Sequence, residues 1–108
     1  MIVLSVGRDE EVLATIAQQA AERGIRNAAL TLIGAVRECT VSVMPKGDES
    51  ADILTDYDQP FELTGTGEIV DGKVHVHVTL GGEGQVVAGH LHRAMVRGWF
   101  VRAYAQPL

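Results

Sequence analysis

The chain has 108 residues, nine of them basic and fourteen acidic, giving a net charge of −5, and 46% of it is apolar. That length and apolar content suit one domain over residues 1–108 with its own core, and they exclude wholesale disorder. The acidic balance argues against a free-standing nucleic-acid binder, whose affinity comes mainly from neutralised phosphates.

The charge is unevenly spread. Asp48 to Asp71 carries eight carboxylates and no Lys or Arg, whereas Gly84 to Leu108 carries Arg93, Arg97 and Arg102 and no acid. These segments read as two solvated faces, although complementary segments could also meet between subunits. Met1 leads straight into Ile2, Val3 and Leu4 without a basic region or a small-residue cleavage site, and no apolar run nears the roughly 18 residues of a membrane span. The expectation is a cytoplasmic protein with no membrane partner. The single Cys39 has no Cys partner for a disulfide or a thiolate metal site and reads as a small packed residue.

Ile2 to Val6 is a short apolar run that can pair as a first strand, broken by Gly7 and Arg8. Asp9 is the expected N-cap of a helix, with Glu10 and Glu11 in its first turn, where carboxylates favour the helix dipole. Val12, Leu13, Ile16, Ala17 and Ala20 then repeat at helical spacing, and Gly24 is placed to end the helix as its C′ residue. Its apolar stripe has to cover something, and the remaining chain offers only sheet.

Ala28 to Met44 is rich in Val, Ile and Thr and reads as two strands or one bent strand, with Gly34 at the bulge or corner. Pro45 to Ser50 is loop, and a weak extended piece follows around Ile53 to Tyr57. Asp58, Gln59 and Pro60 make a turn. Phe61 to Val70 alternates an apolar or small face with Glu62, Thr64, Thr66 and Glu68 on the other. Asp71-Gly72 is a strong signal for a two-residue type I′ hairpin, which needs positive φ at both positions. Counted outward from that turn, Val70 faces Lys73, Glu68 faces His75, and Thr66 faces His77, so carboxylates flank the histidines, with Glu62 further along the same face. The strand from Lys73 to Leu80 is followed by a glycine turn at Gly81 to Gly84. Those glycines lack the Lys-Ser/Thr and strand-to-helix context of a phosphate cradle. Gln85 to Ala88 and Arg97 to Gln106 supply the last strands.

All four histidines lie between Lys73 and His92, as two H-x-H pairs, His75 with His77 and His90 with His92. An extended segment puts alternate side chains on one face, so each pair can project two imidazoles in one direction. H-x-H pairs also occur as ordinary polar residues on wet strand faces. Two clustered pairs favour the metal reading, because three or four convergent neutral imidazoles suit Zn²⁺ or a similar divalent ion.

The helix ending at Gly24-Ile25, followed by Ile33-Gly34-Ala35-Val36, Phe61-Glu62-Leu63, Thr64-Gly65-Thr66-Gly67, Asp71-Gly72-Lys73, His75-Val76-His77-Val78 and Gly89-His90-Leu91, resembles the plants-and-prokaryotes-conserved (PPC) domain over essentially the whole chain. The resemblance implies an α+β fold, an antiparallel sheet of about seven strands packed against one main helix, assembled as a homotrimer. It also implies a fold similar to acetolactate decarboxylase, an enzyme with zinc on three histidines. Carried over by position, His75, His77 and His90 are the expected zinc ligands, and Glu62 is a nearby acid or base or a group behind the ligands. His92 lies outside the motif and is a fourth ligand or an outer residue. The plant members' Arg-Gly-Arg-Pro segment is missing, and Ala88-Gly89 stands where Gly-Gly is usual. Two functional classes remain open. One is a metal-site protein, which as an enzyme would act on a small-molecule ligand; the other is a DNA-binding or regulatory assembly module without catalysis.

Overall fold

The computed structural model describes all 108 residues. Eight strands form one antiparallel sheet: β1 (Ile2–Val6), β2 (Ala28–Val36), β3 (Glu38–Val43), β4 (Ile53–Tyr57), β5 (Phe61–Val70), β6 (Lys73–Gly82), β7 (Gln85–Met95) and β8 (Val101–Pro107). Their order across the sheet is β1-β8-β2-β5-β6-β7-β3-β4. The count is eight rather than the expected seven or so because the short edge segment β4 pairs along its whole length, from Cys39↔Tyr57 to Val43↔Ile53.

The single helix α1 (Val12–Glu22) buries Val12, Ile16 and Ala20 on one face of this sheet. Alternation within the strands supplies the rest of that core, including Leu4, Leu30, Leu32, Phe61, Leu63, Val76, Leu80 and Leu91. The opposite sheet face carries no layer of its own and presents Ile33, Thr64, Thr66, Glu68, His75 and His77.

Three local expectations need correction. The helix is capped by Glu11, not Asp9: the Glu11 carboxylate accepts from the Leu13 and Ala14 amides at 3.1 and 2.8 Å and from the Ala94 amide at 3.0 Å. Asp9 instead adopts φ 65° in the preceding turn and pairs with Arg97 at 2.8 Å. Gly34 is not the corner between β2 and β3, which falls at Arg37. It lies inside β2, where a Cβ would collide with the Phe100 carbonyl, so the glycine serves a close approach by the chain entering β8. The strand expected to stop at Ala88 runs on to Met95 and takes His90 and His92 into the sheet.

Candidate metal centre

The first H-x-H pair is placed by local chemistry. Asp71 and Gly72 have φ 50° and 82°, as a type I′ turn requires, and the register is Val70↔Lys73, Glu68↔His75 and Thr66↔His77. The turn therefore sets which face His75 and His77 occupy, because a slip of one residue would send both rings into the core.

The second pair is placed by non-local pairing. In the β6–β7 hairpin His77 lies directly across from His90. On its other side β7 pairs with β3, and Ser42 faces His90. Gly89 permits this packing, since a Cβ there would run into the Ser42 carbonyl and the Val41 side chain. Between Val41↔Leu91 and Thr40↔Arg93 the register shifts, leaving His92 as the extra residue of a β-bulge.

The rings of His75, His77 and His90 converge. Their centroids are 4.9 Å apart for His75 and His77, 4.7 Å for His75 and His90, and 5.8 Å for His77 and His90. One ligating nitrogen from each lies within 4.8 Å of the others. Tetrahedral Zn²⁺ with nitrogens at 2.0–2.1 Å separates its ligand atoms by roughly 3.3 Å, so small side-chain rotations would close this set on an ion. The donors are three imidazoles, and His75 and His77 stay open to solvent.

Electrostatics agree with that donor set. His90 has its pKa lowered by burial first, and then by the charges that His92, His75 and His77 would carry, with Asp52 opposing. The ring therefore holds its neutral, ligating form to lower pH than an isolated histidine. The Glu68 carboxylate lies 3.7 Å from His75 Nδ1, half-exposed on both sides. At that separation it makes no hydrogen bond to the ring but sets a negative charge and a proton-accepting group beside it.

The remaining candidates fall outside the three-ring set. His92 stacks on His90 with centroids 4.6 Å apart and planes 26° apart, and its Nε2 is 2.7 Å from Ser42 Oγ. Glu62 pairs with Gly81 and stands four positions along β5 from Thr66, roughly 13 Å away. It borders a cleft of about 690 Å³ with Arg37, Arg97 and Trp99. Within one chain, then, Glu68 rather than Glu62 is the carboxylate at the histidines. Ser42 and Asp52 have no signal in the sequence, because both reach the site through the pairing of β3 with β7 or through the loop ahead of β4.

The chain belongs to the Plants and Prokaryotes Conserved (PCC) domain family, whose model matches residues 1–106. Among solved structures it is similar to a metal-containing protein from Archaeoglobus fulgidus, at 28% identity and a TM-score of 0.77 over 94% of this chain and 76% of that one. It is also similar to a protein of Ralstonia eutropha JMP134 provisionally named as DNA-binding, at 24% identity and a TM-score of 0.82 over 98% of this chain and 76% of that one. The fold extends to acetolactate decarboxylase from Bacillus subtilis subspecies spizizenii, at 11% identity and a TM-score of 0.65, where the chain spans 53% of the longer protein. No curated protein matches the sequence.

Proposed function

We propose that this chain is a divalent-metal protein, with His75, His77 and His90 holding Zn²⁺ or a similar ion on a homotrimeric scaffold. The observation that carries the reading is the convergence of three ring nitrogens within 4.8 Å on a solvent-open sheet face. Held by these three neutral imidazoles, a Zn²⁺ would keep a coordination position free and would supply Lewis-acid chemistry that acidifies water toward a pKa of ~7. Around that position the chain supplies Glu68, 3.7 Å from His75, as a carboxylate able to hold or pass a proton. Chemistry on a small molecule is the activity this arrangement suits. Glu62 would join it only if a neighbouring copy brought it near.

Homotrimeric assembly is supported by the bare outer sheet face, where Ile33 is half-exposed, and by Trp99, 72% exposed at its margin.

Elemental analysis of protein purified without chelator tests the metal reading: about one zinc or other divalent ion per chain is expected, and protein free of metal that also fails to take up added Zn²⁺ would refute it. The DNA reading carries less weight. Three of the seven arginines, Arg37, Arg93 and Arg97, are each paired with an acid at 2.7–2.8 Å, which leaves fewer free cations to set against the net charge of −5. Salt-sensitive retardation of arbitrary duplex at submicromolar protein would reverse that ranking.

A further inference from the structure

We propose that Ser42 holds His92 away from the metal position, so that the three-histidine site keeps a coordination position open to an exogenous ligand. This rests on the metal reading above. Ser42 is the only polar side chain among the 25 buried residues, at 3% exposure, and its hydroxyl hydrogen-bonds the Nε2 of His92 at 2.7 Å. The hydroxyl can donate to the neutral ring or accept from it. No buried side-chain nitrogen or oxygen is left without a partner, so this bond is what satisfies Ser42. Breaking it would leave a buried hydroxyl without a partner.

His92 would otherwise be well placed to ligate. It follows His90 by two residues on the same strand, and the two rings are in stacking contact. Two features divert it. As the extra residue of the β7 bulge it has no cross-strand partner of its own, and its Nε2 is turned to β3 by Ser42. The stacked ring then buttresses His90 from the side. His92 is thus a positioning residue, and Ser42 determines that the site has three histidines rather than four.

Co²⁺ is a suitable probe because its visible absorption reports coordination number and the arrival of a small anion such as thiocyanate. Wild-type protein loaded with Co²⁺ should change its spectrum on adding thiocyanate. Ser42→Ala should lose that response as the freed His92 occupies the open position, and Ser42→Ala/His92→Phe should regain it. His92→Phe alone keeps a flat ring against His90 without a ligating nitrogen. It should respond like wild type and keep Co²⁺ affinity within about tenfold, the lower edge of what an outer partner of a ligand contributes. A wild-type response in Ser42→Ala overturns the inference. So does a loss of Co²⁺ in His92→Phe as large as in His75→Ala, which would make His92 a ligand already and decides the matter even if Ser42→Ala fails to fold. Failure of the wild type to bind Co²⁺ any better than His75→Ala/His90→Ala would instead remove the metal reading, and this inference with it.

Discussion

An imidazole ligates a cation only through an unprotonated nitrogen, so proton affinity would decide when the proposed site can fill. His90, the ring shared by both neighbouring pairs, has its pKa pushed below the usual value. Above about pH 6.5 neither folded nor unfolded His90 carries the extra proton, and the shift is without effect on stability. As pH falls below that value the unfolded chain is protonated first, so the metal-free fold loses stability. Urea unfolding of apo-protein from pH 7.5 to 5 should therefore show a steeper decline for wild type than for His90→Gln; equal slopes would contradict the shift. A second residue behaves oppositely. The Cys39 thiol is 1% exposed and is pushed up to about 11 by burial and then by the nearby Glu38 charge. It is almost wholly protonated at neutral pH, and the thiolate is the reactive form. Native protein should resist a maleimide for hours and react promptly once unfolded; rapid labelling of the folded chain would show the site to be open.

Among the elements, α1 is tied to β7 close to the second histidine pair, which the pairing of β7 with β6 and β3 places. The Glu11 carboxylate caps the helix and also accepts from the Ala94 amide, two residues beyond His92. Glu11→Ala removes a cap and a strand contact together, for an expected loss of about 2 kcal/mol. For a domain of this size that is a fall in Tm of roughly 8–16 °C, readable by calorimetry, and a change under 2 °C would show the contacts to be dispensable. This junction is invisible in the sequence, where Asp9 is the expected cap by residue type and only the contact with the Ala94 amide favours Glu11. By contrast, the β5–β6 hairpin was fully legible. Asp71-Gly72 fixes a turn type, the turn type fixes a register, and the register fixes the face of His75 and His77. The run of β7 past Ala88 was hidden for the opposite reason. Gly89 lies inside the strand, where Ser42 and Val41 approach too closely for a Cβ, and that close approach comes from the pairing with β3.

At the scale of the whole molecule, one helix covers one face of an eight-stranded sheet and leaves the other face to solvent in the single chain. The homotrimer proposed here would cover part of that face, and light scattering at micromolar concentration should give about three times the 11.6 kDa chain mass; only monomer would contradict it. The same face carries the histidines, which the sheet order brings together from two adjacent strands. The composition foretold a domain and a core, but His90 could be placed beside His77 only through the family resemblance. The central claim is that these three rings form a metal site, and the most direct measurement is a calorimetric Zn²⁺ titration of chelator-treated protein near pH 7.5. Wild type should bind one ion per chain. His75→Ala/His90→Ala should bind none while keeping its fold by circular dichroism, because a core of 24 buried apolar residues does not depend on the ion. Equal Zn²⁺ binding by the wild type and the double mutant would contradict the account.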